Sequence, residues 1–175
     1  VMANTTFSGP VRSEDGFDVV SKNATTGAVT TEFSLDGSGL QVTPITLGDE
    51  NTTLTATANG GRINVVPAIT GNRTLTLPSP TAGVWMRIIY GGAAEEAENL
   101  IIDTGADANY YIGGIVHLDS NADNVSVYAD GGSNSILTLT DFGLFEINLL
   151  AKDSTNWIIW GWQQGADAPA FTDQP

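Results

Sequence analysis

The feature that most constrains this chain is the punctuation of residues 73–162. Short apolar runs at 74–77, 84–90, 99–103, 111–118, 125–129, 136–140, 145–152 and 157–162 are cut apart by turn formers. The breaks are Pro78-Ser79-Pro80, Gly91-Gly92, Gly105, residues 119–124, Asp130-Gly131-Gly132, Asp141-Phe142-Gly143 and residues 153–156. Runs of this length between Gly, Asn, Asp and Pro clusters read as many strands of a sandwich or barrel. The fold expected is all-β: an antiparallel β-sandwich or jelly-roll-like body. An extended N-terminal arm and a C-terminal tail are expected to flank it.

Three parts follow along the chain. Residues 1–34 are polar and Thr-rich, with isolated apolar residues and neither a helical stripe nor a long alternation. They read as an arm that folds by lying on something else, or as edge strands of the body. Residues 35–164 are the β-sandwich body. Residues 165–175 hold Ala, Asp and prolines around Phe171 and read as a tail that orders against a partner.

Within the body, Asp36-Gly37-Ser38-Gly39 predicts a hairpin, and so does Asn59-Gly60-Gly61 between strands at 52–58 and 62–66. Residues 84–90 are apolar apart from Arg87, as in a central strand. Residues 93–98 are the one segment that could form a helical turn, though too short for a stable helix alone. In the closing strand, Ile158, Trp160 and Trp162 share one face, and Trp157, Ile159 and Gly161 share the other. Such a concentration of tryptophan suits a buried strand or an oligomer interface, and Trp157, Trp160 and Trp162 are the interface candidates.

Charge narrows the partners. Six basic residues face 20 acidic ones, a net charge of −14. Phosphate backbones are bound by Lys and Arg, so nucleic acid is not expected. No apolar run is long enough to span a bilayer, and no basic segment leads into an apolar one near the start, so neither a membrane partner nor a secretion signal is expected. Cysteine is absent, which excludes disulfides and Cys-ligated metals. His117 lies within an apolar strand and reads as structural.

The segment Met2-Ala3-Asn4-Thr5-Thr6-Phe7-Ser8-Gly9-Pro10-Val11-Arg12-Ser13-Glu14-Asp15-Gly16-Phe17 resembles the opening of virion structural proteins of marine tailed phages. Arg73-Thr74-Leu75-Thr76-Leu77-Pro78, the strand Asn99-Leu100-Ile101-Ile102 and the final Trp157-Ile158-Ile159-Trp160-Gly161 are similar to β-rich domains of phage capsid-decoration and fibre proteins. The resemblance implies a non-enzymatic capsid decoration (cement) protein on the outer surface of the virion. Its partner would be the major capsid protein, and it would often be a homotrimer. It implies that the N-terminal arm helps to dock it; the C-terminal segment is expected to clamp the shell as well, with Phe7, Val11, Arg12, Phe17 and Phe171 as the contact residues. No repeat array or heptad pattern is present, which favours a compact decoration protein over a long fibre.

Sharper motifs compete with that reading. Leu100-Ile101-Ile102-Asp103-Thr104-Gly105 resembles the active-site strand of retroviral-type dimeric aspartic proteases, in which paired carboxylates share a proton. Asp103 would then be catalytic; a strand ending in an Asp-Thr-Gly turn is the plainer account. Asp119, Asn121, Asp123 and Asp130 have oxygen-ligand spacing suited to calcium, although the segment also reads as a polar connection. A tail or fibre glycan-binding module is the remaining alternative, with Tyr110, Tyr111 and Trp162 as stacking candidates.

Overall fold

A computed structural model describes residues 16–36 and 39–174. The chain divides into two compact units, residues 1–43 and 44–175. The first is a three-stranded antiparallel meander of β1 (Phe17–Lys22), β2 (Val29–Asp36) and β3 (Gly39–Val42), in the order β1-β2-β3. Asn23 turns the chain between β1 and β2. Its carboxamide oxygen accepts the backbone N–H groups of Thr25 and Thr26, and Gly27 takes φ of +72°. Asp36 pairs with Gly39, where the Asp-Gly-Ser-Gly hairpin was expected. β2 crosses residue 34, so the meander runs past the expected arm boundary and the units part after Thr43.

The second unit is an all-β sandwich. Its strands are β4 (Ile45–Thr46), β5 (Thr52–Thr53), β6 (Ile63–Val66), β7 (Arg73–Thr76), β8 (Trp85–Tyr90), β9 (Leu100–Asp103), β10 (Tyr110–Asp119), β11 (Val125–Tyr128), β12 (Ile136–Leu139), β13 (Phe142–Ala151), β14 (Asn156–Gly165) and β15 (Ala170–Thr172). One sheet has the order β11-β10-β14-β13-β8-β6-β4 and the other β15-β12-β9-β7-β5. Each apolar run identified in the sequence between residues 73 and 162 contributes one of these strands.

The pairing is mixed, not purely antiparallel. From β4 to β9 the chain alternates between sheets, laying each strand parallel to the one two strands earlier. This is a short two-sheet coil. β10 and β14 are also parallel, while β13 runs antiparallel to both β8 and β14. Inward residues of the two sheets form one core, including Met86, Ile88, Tyr111, Ile147, Leu149 and Trp157 from one, and Leu75, Leu100, Ile102, Leu137 and Leu139 from the other.

Local chemistry corrects three expectations. Residues 52–58 do not form one strand: after β5 the chain enters a short helix, α1 (Ala56–Asn59). The Thr55 hydroxyl accepts the Ala58 N–H, an N-cap, and buried Asn59 donates from its amide to Asn64 Oδ1 (2.8 Å). Asn59-Gly60-Gly61 is therefore a helix end and not a hairpin turn. Residues 93–98 form bends and no helical turn. The Glu96 carboxylate accepts the Tyr90 hydroxyl and the Ile69 N–H, and the Glu96 N–H donates to Phe142 O. Finally, residues 170–172 order on their own chain: β15 pairs with β12, and Phe171 meets Tyr111 edge-on at 5.7 Å.

Two buried phenols give the body an alkaline limit. Burial, then the Glu96 carboxylate, pushes the Tyr90 hydroxyl up to about 12. Tyr111, fully buried and donating to Ile102 O, is raised well above 10, chiefly by burial. A raised value means the folded state holds the proton more tightly. The stabilisation is complete below pH 10 and is lost as pH climbs from about 10 to 12. Thermal midpoints measured across that window should fall, with Tyr90 contributing on the order of 2 kcal/mol. Tyr90→Phe should flatten the slope; an unchanged slope would show that Tyr90 does not titrate there.

Candidate functional site

Alternation along the strands of the seven-stranded sheet sends one residue set into the core and the other to the outside. The register aligns the outer set in rows. Tyr128, Gly114, Trp160, Asn148 and Arg87 stand side by side across β11, β10, β14, β13 and β8. The adjacent row holds Ser126, Val116, Trp162, Glu146 and Ile89. On the other flank, Ile158, Leu150 and Trp85 line up across β14, β13 and β8.

This outer face is rich in exposed rings. Tyr128 is 70% exposed, Trp160 48% and Trp85 44%. Gly114 makes room for the first: a Cβ there would come within 2.7 Å of the Tyr128 ring and 2.3 Å of Val127 O. Between the rings runs a polar strip. Arg87 Nε–H donates to Asn148 Oδ1 (3.0 Å), and Asn148 Nδ2 donates to Glu146 Oε1 (3.1 Å). Arg87 Nε also lies 3.4 Å from Glu146 Oε1. This leaves Glu146 Oε2 and both terminal guanidinium nitrogens of Arg87 without a protein partner among the described residues.

Trp160 stands as a ridge between two hollows. One, of about 480 Å³, is lined by Tyr128, Val116, Trp162, Glu146 and Asn148. The other, of about 310 Å³, lies between Trp160, Trp85, Arg87 and Leu150.

The residues singled out in the sequence fall in different places. Of the tryptophans expected at an interface, Trp157 is fully buried in its own core and has no surface for a second copy. Trp160 is exposed and Trp162 half-buried. Among the capsid-contact candidates, Phe17 is exposed on β1, while Phe171 packs against the body core. Phe7, Val11 and Arg12 lie outside the described residues. Of the stacking candidates, Trp162 lines the larger hollow, Tyr110 is half-buried, and Tyr111 is consumed by the core. The ring-bearing positions the sequence reading missed for this role are Tyr128 and Trp85; period-two alternation on β8 and β11 was the available signal.

Asp103 closes a turn. Its Oδ1 accepts the Gly105 N–H (2.7 Å), and Gln174 Nε2 lies 3.4 Å from Oδ2. Thr104 is buried, its hydroxyl between Ala106 O and Asn109 O. The four oxygen-bearing cation candidates are not brought together. Asp119 and Asp130 sit at opposite ends of the β10–β11 hairpin, roughly 20 Å apart at the usual rise per residue. Asp119 accepts the N–H groups of Asn121 and Ala122, and Asp130 those of Gly132, Ser133 and Asn134. These backbone donors hold the Asp130 carboxyl well below the usual carboxylate range. Among the described residues, no group of three or more His, Cys, Asp or Glu is placed to hold a metal ion. His117 is buried, and since a carbonyl can only accept, its Nε2–H donates to Gly165 O (3.0 Å). No described helix is long and apolar enough to cross a membrane.

Comparison with protein-family models gives no match, and comparison with curated proteins gives none either. Fold and face together define a two-sheet β-sandwich with an aromatic, hydrogen-bonding outer surface.

Proposed function

We propose that the chain is a non-catalytic virion structural protein that decorates and stabilises a phage capsid by binding major capsid protein on the shell's outer surface. The observation that carries this is the first unit. Its meander leaves Phe17, Val19, Val20, Val29 and Leu35 exposed. A three-stranded sheet with so much uncovered apolar side chain gains stability by lying on another surface. The resemblance of residues 2–17 to marine tailed-phage virion proteins supplies the kind of surface. A chain of net charge −14 also repels the packaged nucleic acid, which favours the outside of the shell.

Among the described residues, the body's hydrophobic core is drawn from residue 45 onward, so residues 44–175 are expected to fold without the first unit. Residues 44–175 alone should therefore melt cooperatively, close to the full chain. Co-sedimentation with capsids from the source phage should retain the full chain and lose residues 44–175. In the full chain, Phe17→Asp with Val20→Asp should reduce retention at unchanged melting temperature. Equal retention of residues 44–175 would overturn docking through the first unit.

A further inference from the structure

We propose that the outer face of the seven-stranded sheet is a binding site for a neutral oligosaccharide, centred on Trp160. This rests on the geometry of the body and is independent of how the chain is docked.

The chemistry is that of sugar recognition. A pyranose ring has a face of polarised C–H groups, which packs on the electron-rich face of an aromatic ring, and a rim of hydroxyls that both donate and accept. Tyr128, Trp160 and Trp85 supply the rings. Tyr128 and Trp160 are two strands apart in one row, a step of about 10 Å; Trp85 is two strands beyond Trp160 and two residues along, a step of about 12 Å. These steps are comparable to the length of one disaccharide, and the two hollows beside Trp160 follow them.

Between the rings, Glu146 Oε2 can accept from one hydroxyl while the terminal amino groups of Arg87 donate to its neighbour. A charged pair used this way gives stronger hydrogen bonds than neutral groups would. Asn148 holds both partners in place, so the polar strip is set before a ligand arrives.

Charge selects the ligand. Arg87 is already neutralised by Glu146, and the whole chain is strongly acidic. A sulfated or uronic glycan would be repelled, while a neutral one would not. A second copy of the chain is the less suitable occupant, because it would have to desolvate the polar strip that divides the rings.

The test uses the full chain and a panel of neutral hexasaccharides (cellohexaose, laminarihexaose, maltohexaose, xylohexaose, mannohexaose and chitohexaose), with heparin as the anionic control. Binding is read by calorimetry and by tryptophan fluorescence. At least one neutral hexamer should bind and shift the emission. Trp160→Ala should weaken it by at least about tenfold at unchanged melting temperature, since the side chain is half exposed. Trp85→Ala should weaken the hexamer more than the matching disaccharide, and Glu146→Gln should weaken both. Three results would overturn the site: no binding across the panel, binding of heparin alone, or neutral binding indifferent to Trp160→Ala. A self-association by light scattering that Trp160→Ala abolishes would assign the face to a second copy instead.

Discussion

Trp157→Ala is expected to lower the unfolding free energy by about 3–5 kcal/mol, the range for deleting a large buried ring. The side chain is fully buried, and in the register of the outer sheet it lies between Tyr111 on β10 and Ala151 on β13. A large ring beside a small neighbour is how the core fills its volume there, and truncation to alanine opens a cavity in a close-packed interior. Natural domains have only about 5–15 kcal/mol in hand, so the variant should approach the edge of folding. Urea unfolding gives the measurement: the midpoint should fall sharply while the slope stays constant. Trp157→Phe provides the internal comparison. Among the described residues the buried indole N–H has no hydrogen-bond partner, so its removal breaks no bond, and the phenyl ring fills most of the space. Phenylalanine should therefore retain most of the stability that alanine loses. Equal losses would mean that ring volume is not what matters at this position.

Gly161→Ala should cost about 2–4 kcal/mol although it adds one methyl group and removes nothing. Gly161 takes φ of +154°, and a Cβ built there would lie 2.0 Å from Glu146 O and 3.1 Å from Ile147 Cα. The clash is with backbone of the neighbouring strand, which cannot swing aside as a flexible side chain can. Relief requires β13 and β14 to separate, which would also displace Glu146 from the polar strip. Gly131→Ala is the matched control. It has φ of +78° but, among the described residues, nothing within 4 Å of the added atom, so backbone strain is the cost expected, about 1 kcal/mol. Comparing the two thermal midpoints separates steric from conformational cost. Equal shifts would show that β13 moves freely and that the close approach has no consequence.

Much of this architecture was legible because strands announce themselves by what interrupts them. Pro78 and Pro80, the Gly91-Gly92 pair and the Asp130-Gly131-Gly132 turn ended strands where they were expected to. The alternation at 157–162 correctly put Trp157 and Trp160 on opposite faces but did not reveal which of the two faces was the core, so that Trp157 was counted among the interface candidates. Partnership was not legible. Nothing local reveals that β10 lies parallel to β14, or that Asn59-Gly60-Gly61 ends a helix capped by Thr55; both depend on atoms far along the chain or on one hydroxyl. The tail misled for a similar reason: an aromatic between prolines reads as unattached until Tyr111 and Leu137 are placed beside it. The binding face was half visible. Trp160 was read as an interface residue and Trp162 as both interface and stacking candidate, and Tyr128, Arg87 and Trp85 join them only once five strands are in register.

The parallel pairing of β10 with β14 has a consequence in time. Tyr110 meets Asn156, roughly 45 residues downstream, whereas each contact of the early coil closes a loop of only about half that length. Chain-closure entropy thus favours assembly of the coil first and makes the junction of β10 with β14 a late event. Tyr128, carried on β11, reaches Trp160 only through that junction. The junction of β8 with β13, which seats Arg87 beside Asn148, closes a still longer loop of roughly 60 residues, so loop closure favours late completion of both halves of this surface.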